Sequence, residues 1–260
     1  MNVLLFDIGG TNMRLSINEE GVMGEVRKVP TPKSPEDAIT FMREFVGGQS
    51  IDMVSGGVAG AVDNGAITGA PNLPGWEKSN FQSMAADAFK APAILMNDAD
   101  VEGLGEALEG AGKNHQIVAY LTVGTGAGGT LVVDGALQPS AHGLEPGKQI
   151  IDFATGRTLE DLVSGAALAR ETCLSPKDIP LSVYNDRTSA LAVGIYNLVR
   201  TWSPDIVVLG GAMILKEPGF SIHRIAIELT RIADGQSMPE LVPATLGDAA
   251  GLIGALSLAS

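Results

Sequence analysis

The pattern that most limits how this chain can fold occurs twice. Residues 3–6 form an apolar run that stops at Asp7-Ile8-Gly9-Gly10-Thr11, and apolar character returns at residues 15–17. Residues 117–123 form another, which stops at Gly124-Thr125-Gly126-Ala127-Gly128-Gly129-Thr130 and resumes at residues 131–133. Each reads as strand, glycine turn, return strand. The same grammar in both halves points to an internal duplication. A chain of 260 residues has room for two lobes that share a cleft.

Elsewhere strands alternate with helices, the pattern of an α/β layered protein. A third strand is expected over residues 22–29. Ser34-Pro35-Glu36-Asp37 supplies a cap, a proline at the first helical position and acids in the first turn, so a helix should run to Val46 and stop at Gly47-Gly48. Residues 51–62 are strand-like, and a buried strand at 93–96 leads through Asn97-Asp98 into a helix over 100–108. Further helices are expected over 159–172, 188–202 and 249–258, with a strand at 206–209 that ends in Gly210-Gly211. Glu109-Gly110-Ala111-Gly112-Lys113-Asn114 reads as a linker. The expected division is therefore an N-terminal lobe, 1–108, completed by the C-terminal helix at 248–260, and a C-terminal lobe, 109–247.

Composition removes several kinds of function. With 30 acidic and 17 basic residues the formal charge is −13, which leaves no broad cationic surface for nucleic acid or an anionic membrane. An anionic ligand must be held by backbone N–H groups, a few placed cations or a metal ion, and the 33 glycines favour the backbone route. One cysteine, Cys173, in a helix-like stretch, and three scattered histidines, His115, His142 and His223, make neither a disulfide framework nor a zinc cluster. Cys173 is expected to be a core thiol. The opening residues lack a signal-like leader, no run approaches a membrane span, and a cytoplasmic location is expected.

The two turns are where chemistry is expected. In the first, Gly9 and Gly10 let a backbone approach phosphate closely, Thr11 can donate a hydrogen bond, Arg14 offers cationic donors, and Asp7 can anchor a hydrated Mg²⁺. An ordinary hairpin would use the same glycines. Gly124, Thr125 and Gly126 form a second nest of N–H groups, and two facing turns would suit a triphosphate between them. Neither a GxxxxGK[ST] loop nor a GxGxxG entering a helix is present. Asp98, where a strand meets a helix, is placed to act as a general base or simply to cap the helix. Glu145, Lys148 and Glu160 are the remaining polar candidates, of kinds more often found on a surface loop or a solvated helix face than in contact with a substrate.

Together these segments resemble the ROK family of sugar kinases, over nearly the whole chain and in order. Residues 7–14 look like the family's first phosphate motif and Gly124-Thr125-Gly126 like its second. Gly56 to Gly60 with Pro71-Asn72-Leu73-Pro74-Gly75-Trp76 resembles its sugar-side loop, Asn97-Asp98 the sugar-binding asparagine and catalytic aspartate, and Gly210-Gly211 the adenosine motif. Glu145 and Glu160 resemble sugar-binding glutamates. The resemblance implies two duplicated actin-like (ribonuclease H-like) lobes around a cleft, with ATP and Mg²⁺ as cofactors. It also implies a hexose or hexose derivative as substrate, held by Asn72, Asn97, Glu145, Lys148 and Glu160. It allows a homodimer. A plain ATPase or switch of the same fold, or a non-catalytic sugar-binding relative, stays open. Two departures stand out. Ala154-Thr155-Gly156-Arg157 replaces the family's cysteine segment, so no structural zinc is expected. Lys148 replaces a histidine, which adds a fixed charge and opens the way to an acceptor carrying a carboxylate.

Overall fold

A computed structural model describes residues 1–141 and 143–260; His142 lies outside the described residues. The chain forms two compact units: Met1–Gly105 with Leu246–Ser260, Ala141 and Gly143, and Glu106–Ser140 with Leu144–Thr245. The chain passes from the first to the second inside a helix, a few residues ahead of the glycine-rich stretch at 109–114.

The first unit begins with strands β1 (Asn2–Ile8), β2 (Asn12–Glu19), β3 (Val22–Met23) and β4 (Arg27–Pro30). There follow α1 (Pro35–Val46), β5 (Met53–Val58), a small hairpin of β6 (Ala61–Asp63) and β7 (Ala66–Gly69), α2 (Phe81–Phe89), β8 (Ala93–Asn97) and α3 (Asp98–Glu109). The main sheet has the order β3-β2-β1-β5-β8, with β4 also on β2. β1 runs antiparallel to β2 and parallel to β5, which is parallel to β8. Because strand side chains alternate, Leu4, Phe6 and Ile8 join the core packed with residues of α1 and α2, whereas Val3 and Leu5 pack with Val101, Leu252 and Ala255 on the other face. Burial on both faces explains why residues 3–6 of β1 are apolar without interruption.

In the second unit come β9 (Ile117–Val123), β10 (Ala127–Val133), β11 (Ala136–Leu137), β12 (Ile150–Asp152), β13 (Arg157–Thr158), α4 (Leu159–Val163), α5 (Gly165–Thr172) and α6 (Leu181–Trp202). They are followed by β14 (Ile206–Gly210), α7 (Ala212–Leu215), α8 (Ile222–Ala233) and β15 (Glu240–Pro243). The sheet order, β11-β10-β9-β14-β15, repeats the first strand for strand, with the same antiparallel and parallel partners. The duplicated grammar is thus a duplicated topology. α9 (Ala250–Leu258) returns to the first unit and lies against β1 and β5. There α3 and α9 meet through Gly105 and Gly254, where a Cβ on Gly254 would overlap the Val101 carbonyl.

Local chemistry accounts for where elements begin and end. Ser34 accepts from Asp37 N at 3.1 Å and Gly47 closes α1 at φ +62°, as the sequence predicts. The strand expected over 22–29 is divided because β3 and β4 pair with different parts of β2. The helix expected over 159–172 is broken at Ser164, whose extended backbone ends α4 and whose hydroxyl caps α5. α6 begins at Leu181, not 188, because Pro180 starts it and Tyr184 is buried edge-on against Phe220. Cys173 is exposed rather than core, since it takes the left-handed position that closes α5, φ +58°. Among the described residues no helix is long and apolar enough to cross a membrane.

Candidate active site

In the first unit the three parallel strands β1, β5 and β8 end together, the edge of an α/β sheet where ligands are bound. β1 delivers Asp7 and then the turn at residues 9–12. Asp7 is 4% exposed. Alternation sends it to the α9 face, where a Cβ on Gly251 would come within 3.0 Å of its carboxyl carbon. Arg14, its register partner on β2, donates to Asp7 at 2.9 Å and to Asp248 at 2.6 Å, and Lys28 donates to Asp248 at 2.7 Å. Both terminal nitrogens of Arg14 are thus committed to carboxylates, and its buried Nε has no hydrogen-bond partner among the described residues. Burial pushes the Asp7 carboxyl above its usual range, against the opposing pull of Arg14.

The turn is fixed by Gly9 N donating to Asn12 O at 3.0 Å and by Thr31, whose hydroxyl donates to Gly9 O at 2.6 Å. Gly10 faces the loop at 71–76, and a Cβ there would stand 2.9 Å from Asn72 Cβ. That loop is anchored by Trp76 Nε1, which donates to Pro32 O at 3.0 Å. Thr31 and Pro32 thus hold the turn and Asn72 as one piece, with Asn72 and Thr11 exposed.

At the end of β8, Asn97 Nδ2 donates to Gly60 O at 2.8 Å and its Oδ1 accepts from Ala99 N at 2.9 Å. Asn97 therefore ties the β5 and β8 ends together and caps α3. Asp98 shares the Ala99 N–H at 2.9 Å. Its carboxyl is pushed up to about 7, first by burial, then by the negative charges of Asp7 and Asp100, with the Ala99 N–H opposing. A half-buried acid at the end of a strand, with its proton affinity moved toward neutrality, is what a general base requires.

In the second unit β9 delivers the other turn, at residues 124–126, between paired Val123 and Ala127. Its first part is held by the start of α5, where Gly165 N donates to Gly124 O at 2.8 Å and Ala166 N to Thr125 O at 3.0 Å. The break at Ser164 is what aims those two N–H groups. Its second part is held by Glu160, whose Oε2 accepts from Ala127 N at 2.8 Å and would lie 2.7 Å from a Cβ on Gly126. Lys148 Nζ donates to Glu160 Oε1 at 2.5 Å. That hydrogen bond, with the fields of Glu160, Glu145 and Asp161, holds the ammonium above its usual range despite some desolvation. Glu145, exposed, accepts from Lys148 N at 3.0 Å through its backbone carbonyl. Gly210 and Gly211 end β14 beside the same turn: a Cβ on Gly210 would overlap the Tyr120 hydroxyl, and Gly211, at φ +86°, leaves none to overlap the Val123 carbonyl.

Asp7, Gly9, Gly10, Thr11, Arg14, Asn72, Asn97 and Asp98 thus gather in one unit, and Gly124, Thr125, Gly126, Glu145, Lys148, Glu160, Gly210 and Gly211 in the other. Sequence reasoning missed Thr31, which holds the first turn, and Asp248, which engages Arg14. Only the acid just ahead of an apolar helix could have pointed to Asp248. It also missed the meaning of Ser164-Gly165, a capping residue followed by a glycine inside an otherwise helical pattern. Ala154-Thr155-Gly156-Arg157, the segment without cysteines, is a turn closed by Asp152, which accepts from Ala154 N at 3.0 Å and Thr155 Oγ1 at 2.5 Å.

Two copies of one sheet topology, each with a glycine turn between its first two strands, define the actin-like, ribonuclease H-like ATPase fold. The chain matches the ROK family over residues 3–260 and belongs to that family. It is 26% identical to a glucokinase of Streptomyces coelicolor, over 97% of this chain and 96% of that one. It is 25% identical to a fructokinase of Pediococcus pentosaceus, over 97% and 96%. A crystal structure of a ROK family glucokinase from Streptomyces griseus, in complex with glucose and AMPPNP, superposes with a TM-score of 0.80 at 23% identity, covering 99% of each chain.

Proposed function

We propose that the protein transfers the γ-phosphoryl group of ATP to a hydroxyl of a neutral hexose. The observation that carries this reading is Asp98, a base with affinity near neutrality at the strand edge that also presents the first glycine turn and Asn72. Asp98 takes the proton of the acceptor hydroxyl as that oxygen attacks phosphorus in line. Asn72 and Glu145 hold the ring, Asn97 fixes the base, and Glu160 stands behind the second turn, its oxygens accepting from Lys148 Nζ and Ala127 N. The turns at 9–12 and 124–126 receive the phosphates, and Gly210-Gly211 lets the nucleoside approach β14. Positioning and neutralisation supply most of the rate in such transfers.

Mg²⁺ with ATP supplies charge neutralisation on the transferred group. Among the described residues no group of three or more acids, histidines or cysteines is arranged to hold a metal. Asp7 is a hard oxygen donor beside the first turn, and a cation held by one carboxylate through water, with phosphate oxygens as its remaining ligands, is the usual way Mg²⁺ is bound. Arg14 supports this role by orienting Asp7 rather than by contacting phosphate itself.

The ion pair between Lys148 and Glu160 bears on the acceptor. A lysine already engaged by a carboxylate, with Glu145 nearby, leaves no surplus positive charge for an acidic sugar, which reverses the expectation that a lysine at this position raises. Hexoses, amino sugars and sugar acids incubated with Mg-ATP and examined by mass spectrometry test the proposal. Neutral hexoses should gain a phosphate at least tenfold faster than sugar acids. ADP release that ignores every sugar, or sugar binding with no phosphorylated product, would sink it.

A further inference from the structure

We propose that Lys148 is a positioning residue for the second glycine turn and acts on that turn through Glu160, instead of touching the sugar. The inference rests on the reading of residues 124–126 as a phosphate-binding turn, because it says how that turn keeps its shape.

Three observations carry it. The Glu160 carboxylate is shared: one oxygen accepts from Lys148 Nζ at 2.5 Å and the other from Ala127 N at 2.8 Å. Gly126 leaves room for that carboxylate, since a Cβ would approach it to 2.7 Å. The 3-10 turn that carries Lys148, Pro146–Lys148, is itself seated on β10, where a Cβ on Gly147 would overlap the Ala127 carbonyl. Lysine, carboxylate and turn therefore form a closed loop built on Ala127, with the backbone N–H of that residue held by Glu160 and its carbonyl packed against Gly147.

Charge makes the lysine necessary to this loop. Glu145, Glu160 and Asp161 all act on its ammonium. With the ammonium removed, Glu160 loses its cationic partner while Glu145 and Asp161 stay near, and its hold on Ala127 N loosens. The first half of the turn keeps its support from Gly165 and Ala166, whereas the second half loses its side-chain anchor. A histidine at this position has a shorter reach and is mostly neutral at physiological pH, so it would not hold the acid in the same way.

The test has two readouts. Hydrogen exchange of the Ala127 amide, measured without nucleotide or sugar, should quicken about tenfold in Lys148→Met, recover in Lys148→Arg, and leave the β9 amides unchanged. Unchanged exchange at Ala127 in Lys148→Met would overturn the proposal. Binding of AMPPNP should weaken about fivefold in Lys148→Met, with a smaller change in the KM for sugar. A loss confined to the sugar KM would also overturn it, making Lys148 a sugar contact. If exchange quickens while AMPPNP affinity holds, the positioning role stands and the assignment of residues 124–126 to phosphate is what fails.

Discussion

The two glycine turns occupy the same place in two copies of one topology, yet they are built differently. In the first unit the acids belong to the sheet itself: Asp7 lies in β1 and Asp98 follows β8, and both have carboxyls pushed upward by burial. In the second the corresponding strand ends carry none, β9 ending Leu121-Thr122-Val123 and β15 ending Leu241-Val242-Pro243, and the turn borrows its one acid, Glu160, from a neighbouring helix. One copy presents two carboxyls with raised proton affinity at its edge, and the other a turn held largely through its backbone. A duplicated scaffold allows this because the turn geometry comes from glycine and strand pairing, which leaves the flanking side chains free to diverge.

The sharpest way to break this comparison is to remove the base. Asp98→Asn keeps an acceptor for the Ala99 N–H and should fold normally. Turnover should fall by a factor on the order of 10² to 10⁴, with nucleotide affinity nearly unchanged. Near-normal turnover would move the base elsewhere and dissolve the contrast between the two edges.

A smaller effect follows from pH. As the proposed base, Asp98 would work deprotonated, so kcat should rise about tenfold per pH unit up to about 7 and then level, a limb that Asp98→Asn should lack. Stability must run the other way. Burial pushes the folded carboxyl up to about 7, far above its ordinary value of 3.8, so between those values the folded state binds the extra proton. The contribution is full below about 4 and is lost as pH rises through 7, amounting to at most a few kcal/mol. Thermal melts of the wild type against Asp98→Asn from pH 4 to 8 check the sign. The variant should be the more stable protein at pH 8. A wild type that gains stability over this range relative to the variant would show that Asp98 is not held near neutrality.

The sequence made the two turns, most strands and the boundaries of α1 legible, because each rests on local signals such as an apolar run, a cap or a glycine. It was weaker where a long-range partner decides the structure. Nothing near Ser164 says that Gly165 must donate to Gly124, so one helix was expected where two exist. α2 and α8 escaped notice although Asn80 and Ser221 cap them, each accepting from a backbone N–H three residues on. The candidate site residues stand out in the sequence through family resemblance, but their structural partners do not. Lys148 reads as a free cation in the sequence and is an ion-paired one in the structure, while Arg14 reads as a phosphate donor and is engaged by Asp7 and Asp248.

The smallest effect separates the glycines of the two turns by what each is glycine for. In Gly10→Ala the new methyl meets Asn72 Cβ at 2.9 Å, so the loop at 71–76 must shift, and both sugar and nucleotide affinity should weaken severalfold. Gly124 has nothing within 4 Å of where a Cβ would stand, and its backbone is not left-handed. Among the described residues no packing contact or left-handed backbone keeps a side chain away from this position. Gly124→Ala should therefore leave stability within about 0.5 kcal/mol, a melting shift of about 2 °C or less. If the empty space is kept for a phosphate, AMPPNP affinity should still fall about threefold in this variant, with the sugar KM held. Unchanged AMPPNP affinity would mean that the second turn grips its ligand through Thr125 and Gly126 alone, and would narrow the cradle to the half that Glu160 supports.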